Sequence, residues 1–127
     1  MIYGIGTDIV EIARIQKLYE QYGDRFVKRI LSEAEQDLFA FHHYSTAFLA
    51  KRFAGKEAVA KALGTGIGES LAFTEISITN EQSGKPIVTL EGKAKNRLTE
   101  LSIRELSISL SDEKSYALAF VIATKSL

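Results

Sequence analysis

Residues 47–63 read AFLAKRFAGKEAVAKAL, the most plainly helical stretch of the chain. Alanine, the strongest helix former, recurs through it, and no proline interrupts it. Gly64 stands where a left-handed residue closes a helix. On helical spacing, Leu49, Phe53 and Ala60 make an apolar stripe, and Glu57 borders it, about 40° from Phe53 on one side and from Lys61 on the other. Arg52 and Lys56 lie one turn apart on a neighbouring face. Two readings of Glu57 stay open. It is either an exposed partner of Lys61, a pair worth about 0.3–0.5 kcal/mol, or a carboxylate set among small alanines whose charge a cation must compensate.

Before this helix, residues 2–10 (IYGIGTDIV) predict a strand with Gly4, Gly6 and Asp8 on one face and Tyr3, Ile5, Thr7 and Ile9 on the other. Residues 11–22 change to helical spacing, with Ile12, Ile15, Tyr19 and Tyr22 on one stripe, and Gly23 ends that helix. A short segment, 24–31, follows. Ser32-Glu33-Ala34-Glu35 then has the spacing of a capping box for another helix, and residues 42–45 form a loop.

After the long helix, residues 64–68 (GTGIG) make a flexible connection and the pattern turns to strands at 73–79, 85–90, 106–111 and 116–124. Ser83-Gly84 and residues 112–114 supply the turns, and residues 93–101 suit a short helix. The expected fold is α+β: a single domain over residues 1–127, with an antiparallel sheet packed against one long helix and shorter helices.

Composition narrows the classes of function. Sixteen basic and sixteen acidic residues cancel, so no global field draws the chain to nucleic acid. The absence of cysteine removes disulfides, zinc–thiolate sites and thiol nucleophiles together. No apolar run approaches the roughly 20 residues that cross a bilayer, and the first residues read as a strand instead of a secretion signal. A cytoplasmic protein without membrane or nucleic-acid partners is expected.

Asp8 has two readings as well. Asp8-Ile9-Val10-Glu11 has capping-box spacing at a strand-to-helix junction. Alternatively, glycines before it on the same face allow a ligand or another backbone close, and a carboxylate there suits a hard cation such as magnesium. His42 and His43 lack a partner at metal spacing and read as surface residues. Ser109-Leu110-Ser111-Asp112 has no histidine nearby in sequence. GTGIG follows a helix instead of opening one, the wrong order for a phosphate-cradling loop.

Taken in order, MIYGIGTDIVEIARI at the start, FVKRILSEAE from Phe26, FLAKRFAGKEAVAKALGTGIG from Phe48, GKPIVTL from Gly84 and ISLSDEKSYALAFVIA from Ile108 resemble the holo-acyl-carrier-protein synthase branch of the phosphopantetheinyl transferases. The first and third of these motifs are specific. The resemblance implies magnesium-dependent transfer of 4′-phosphopantetheine from coenzyme A to a serine of acyl carrier protein, with release of 3′,5′-ADP, in support of fatty acid biosynthesis. By position it implies Asp8 and Glu57 as metal ligands, Glu57 and Lys61 as catalytic groups, and Arg52, Lys56 and Lys61 as coenzyme A contacts. It implies Arg14, Arg25 and Phe26 as carrier-protein contacts, and a homotrimer with active sites shared between subunits. The general base is left open between Glu57 and direct activation of the serine by the metal. Asp112 departs from the family, which usually has histidine there. That exchange places a carboxylate where a phosphate contact is expected, unless a basic residue such as Lys114, or one from a neighbouring subunit, pairs with it. Two other classes compete: a different small enzyme acting on a nucleotide-containing substrate, and a non-catalytic oligomeric scaffold in which Asp8 is a cap and Glu57 a surface charge.

Overall fold

The computed structural model describes residues 1–68 and 70–126. In chain order the elements are β1 (Ile2–Glu11), α1 (Ile12–Tyr22), α2 (Asp24–Ile30), α3 (Glu33–Phe41), α4 (Thr46–Leu63), β2 (Ile76–Asn80), β3 (Pro86–Leu90), α5 (Gly92–Glu100), β4 (Ile103–Asp112) and β5 (Tyr116–Lys125). The architecture is α+β, with helices concentrated in the first half. The strands divide into an antiparallel sheet ordered β1-β5-β4 and a separate β2-β3 hairpin. Helix α4 crosses the inner face of the larger sheet and carries a larger share of the core than any other element: Leu49, Ala50, Ala54, Ala58, Val59, Ala60, Ala62 and Leu63 are all buried.

Local chemistry sets the helix ends. Ser32 caps α3 in a complete capping box: its Oγ accepts from the Glu35 amide, and Glu35 Oε1 accepts from the Ser32 amide at 2.9 Å. Ser45 Oγ accepts from the Phe48 amide at the start of α4, and Gly64 closes it at φ 70°. Three segments differ from expectation, one of them β4, which begins at Ile103, three residues before the expected strand. Residues 24–30 form a helix, α2, because Phe26, Val27 and Ile30 fall on one buried face; seven residues are too few for periodicity to announce it. Residues 73–75 form a 3₁₀ turn, so β2 begins at Ile76.

Gly4 and Gly6 fix how closely α4 approaches β1. A Cβ at Gly4 would run into the Ala62 carbonyl oxygen, and one at Gly6 into the Ala58 carbonyl oxygen. The visitor that these glycines admit is therefore the α4 backbone. Strand and helix run in opposite directions, with two strand residues matching one helical turn. That register decides what stands beside Asp8.

Candidate active site

Extending the Gly4–Ala62 and Gly6–Ala58 matches by one step places Asp8, on the same strand face, beside the α4 turn before Ala58. Asp8 is no helix cap. It lies inside the β1 ladder opposite Ala119, and the N-cap of α1 is Glu11, which makes no side-chain capping bond. The capping reading fails because the strand continues three residues beyond Asp8. Lys61 Nζ donates to Asp8 Oδ1 at 3.1 Å and to the Thr7 carbonyl at 3.0 Å. The ion pair of Lys61 is thus with Asp8 across the helix–strand seam, not with Glu57 one turn away on its own helix.

Glu57 is half-buried at the same seam. Burial pushes its carboxyl pKa up, the Asp8 charge pushes it further, and Lys61 and Arg14 pull it back. Two carboxylates in each other's field, one partly desolvated, form a donor set of the kind a hard dication requires. Among the described residues no three metal-ligating side chains converge. A cation at Asp8 and Glu57 would therefore complete its shell with water and substrate oxygens, as magnesium ordinarily does. The residues present fit magnesium.

The remaining basic residues separate into two regions. Arg14 is exposed on α1, its guanidinium 5.8 Å from the centre of the Phe53 ring and its charge within reach of Glu57. Leu18 and Tyr22 continue the Arg14 ridge at four-residue spacing. They lead to a cavity of about 400 Å³ that Arg25, Phe26, Arg29 and Ile30 also line. Arg14, Arg25 and Phe26 thus share one side of the molecule, with Arg14 at its active-site end. Phe26 is only 9% exposed, so its contribution there is the floor and not a protruding contact.

Lys56 is not available as a coenzyme A contact. It is fully buried, and its Nζ donates to Glu35 Oε1 at 2.5 Å, to the Ile30 carbonyl at 2.6 Å and to the Phe73 carbonyl at 2.9 Å. All three ammonium protons are committed, so Lys56 joins α4 to the ends of α2 and α3 instead of meeting a ligand. Arg52 is 4% exposed; Nε donates to the Ile78 carbonyl, Nη2 to Asn80 Oδ1, and the guanidinium stacks on Phe48. It nevertheless lines a second cavity, of about 630 Å³, together with His42, Phe48, Lys51, Asn80 and Asp112. Sequence reasoning missed two members of these networks. Glu35 was visible only as half of a capping box, and Lys51 had no signal at all: its partner is Asp112, at 3.0 Å, far along the chain.

Residues 4–121 match the sequence pattern of the 4′-phosphopantetheinyl transferase superfamily. A holo-[acyl-carrier-protein] synthase of Serratia proteamaculans is 49% identical over 121 residues, covering 95% of this chain and 96% of its own. The chain belongs to the holo-[acyl-carrier-protein] synthases of the 4′-phosphopantetheinyl transferase superfamily. Solved structures agree. The crystal structure of the synthase from Neisseria meningitidis superposes with a TM-score of 0.94 at 45% identity, covering 98% of this chain and all of that one. The Helicobacter pylori synthase in complex with coenzyme A superposes at 0.85, with 37% identity and coverage of 94% and 99%. Membership makes the chain an enzyme, a transferase of this family. Among the described residues no helix is long and apolar enough to cross a membrane.

Proposed function

We propose that residues 1–127 act as one transferase domain that moves 4′-phosphopantetheine from coenzyme A to a serine of apo-acyl carrier protein, with magnesium, in cytoplasmic fatty acid biosynthesis. The observation that carries this reading is the seam between β1 and α4, where Asp8, Glu57 and Lys61 gather at a spacing that Gly4 and Gly6 enforce. The carrier serine oxygen attacks the phosphorus bonded to pantetheine, the bridging P–O bond of the pyrophosphate breaks, and 3′,5′-ADP leaves. Magnesium held by Asp8 and Glu57 would supply neutralisation of the charge on the phosphoryl oxygens. Lys61 is the exposed end of the trio, and rotating it from Asp8 toward the leaving phosphate places its charge where charge develops. Glu57 is one candidate to take the serine proton, and direct activation of the serine at the metal site is the other. Arg14, Arg25 and the floor made by Phe26 receive the acidic carrier, beside the reacting centre.

The nucleotide end of coenzyme A is assigned to the cavity floored by Arg52. Arg52 stands about 140° around α4 from Glu57, so that cavity faces away from the carboxylates of its own chain. This favours a site shared between copies. The outer face of the larger sheet favours assembly as well: Ile5, Ile9, Leu118 and Phe120 are 57, 62, 41 and 43% exposed. A homotrimer covers that face and brings one copy's cavity to the next copy's carboxylates. Light scattering should report three times 14.0 kDa; a fully active monomer at assay dilution would refute the shared site.

Incubation with coenzyme A, magnesium and apo-acyl carrier protein, read by intact mass, tests the reaction. The carrier should gain one phosphopantetheine, and omitting magnesium should abolish the gain. Turnover of coenzyme A without carrier modification points to a different nucleotide enzyme, and no turnover at all to a scaffold.

A further inference from the structure

Beneath the cavity beside α4, the buried charges do not balance. Among the described residues Glu35 is the one carboxylate in contact with Lys56, and Arg52 lies in its field, so there two buried cations share a single buried anion. Glu35 also accepts from the Ser32 and Ile78 amides. Arg52 Nη1 makes no hydrogen bond among the described residues and is not sealed from the cavity that Arg52 lines. The floor therefore presents unneutralised positive charge to an open volume, a setting for an anion. At the rim stands a second cation, Lys51, whose charge Asp112 cancels at 3.0 Å; both side chains are partly exposed, at 27% and 35%. The ladder pairs the Asp112 backbone with Ala117, but among the described residues its side chain has no other polar partner; the turn after β4 is held by Glu113, whose Oε1 accepts from the Ser115 and Tyr116 amides.

We propose that Asp112 is a built-in competitor for the phosphate end of the nucleotide: it holds Lys51 in the ligand-free chain and yields it to a phosphomonoester entering over Arg52. Residue 112 thereby sets how strongly the site prefers a bisphosphorylated to a monophosphorylated nucleotide. This rests on the assignment of the nucleotide end of coenzyme A to the cavity. A phosphate dianion between Lys51 and Arg52 outcompetes a single carboxylate because it brings more charge to the same two cations. The competition is weak enough to be reversible, since a partly exposed pair is worth only about a two- to fivefold change in an equilibrium.

Isothermal titration of the intact protein with adenosine 3′,5′-bisphosphate and with adenosine 5′-monophosphate tests this. Asp112→Asn should tighten the bisphosphate about two- to fivefold and leave the monophosphate nearly unchanged. Lys51→Gln should weaken the bisphosphate selectively, and adding Asp112→Asn to Lys51→Gln should then give a smaller gain than it gives alone. Raising the salt concentration should shrink all of these differences. If Asp112→Asn weakens the bisphosphate, or moves both nucleotides alike, the competitor role is wrong and Asp112 merely orients Lys51. The intact-mass assay on the unsubstituted chain separates the two levels. Transfer with an unaltered nucleotide ratio in Asp112→Asn overturns the competitor alone, whereas no transfer overturns the function on which it rests.

Discussion

Replacing Lys56 by methionine is the perturbation that most sharply divides a ligand contact from a structural tie. Methionine keeps much of the stem volume and removes the ammonium. Three acceptors then lose their donor together: Glu35 Oε1 and the carbonyls of Ile30 and Phe73. The carboxylate suffers most, because Glu35 is 0% exposed and keeps only two backbone amides, from Ser32 and Ile78. With its hydrogen-bonded ammonium gone and only the field of Arg52 left to offset it, a buried carboxylate of this kind destabilises by up to about 3–5 kcal/mol, against a total stability of about 5–15 kcal/mol for an ordinary domain. With a urea slope near 2 kcal/mol/M, the midpoint should fall by roughly 1.5–2.5 M. The assay is urea unfolding followed by far-UV circular dichroism, at one fixed protein concentration because assembly adds to apparent stability. Glu35→Gln should be damaging too, since it leaves two cations behind. The double substitution should recover part of the loss, giving a coupling energy that the single substitutions cannot. An unchanged midpoint in Lys56→Met, with KM for coenzyme A raised severalfold, would refute the structural assignment and restore Lys56 as a substrate contact.

The other predictions concern the seam and the carrier face. In metal-free protein, Asp8→Asn should lower the Glu57 pKa, since it removes a neighbouring negative charge and frees Lys61; an NMR titration of the Glu57 carboxyl reads the shift directly, and a rise would contradict the geometry. The same variant should abolish magnesium-dependent transfer with native circular dichroism, whereas full activity would remove Asp8 from the metal site. Gly6→Ala should destabilise by about 1–3 kcal/mol and reduce kcat, because the new methyl drives the Ala58 turn, and Glu57 with it, away from Asp8. A variant of normal stability and rate would show that the close approach is dispensable. Arg14→Glu should raise KM for the carrier in a salt-sensitive manner, leaving binding of adenosine 3′,5′-bisphosphate unaltered; unchanged carrier kinetics at low salt would remove Arg14 from the docking face.

How far the sequence reached depended on the distance over which each signal acts. The strand at Ile2, the helix over 47–63, its glycine stop and the Ser32 capping box are all written in short-range spacing, and each is present, the helix starting one residue earlier at Thr46. Helix α2 is as local but too short for its period to register, and its packing, not its propensity, makes it helical. The site was legible only in part. Gly4 and Gly6 announced a close approach, yet nothing in β1 alone says that the visitor is α4. Glu35 with Lys56, and Lys51 with Asp112, are separated by 21 and 61 positions, so no window could join them. A lone lysine on a helix reads as a surface charge until the opposite wall is known.

Lys56 and Glu57 show how one helix serves both ends. They are adjacent in sequence, hence about 100° apart around α4, and that rotation sends Lys56 into the interior and Glu57 to the β1 seam. The buried side is tied by Lys56 to α2, α3 and the turn before β2; the other side is pressed against glycines that tolerate no extra carbon. Movement of α4 along β1 would disturb both attachments together. The position of Glu57 relative to Asp8 is therefore set by interactions on the far side of the helix as much as by the site itself. The consequence is testable within the substitutions already described. Lys56→Met protein that remains folded at low urea should lose kcat more than it loses affinity for adenosine 3′,5′-bisphosphate, because a loosened α4 misplaces a carboxylate while the nucleotide still finds Arg52. Loss of nucleotide affinity with kcat intact would mean that the anchor and the site are mechanically independent.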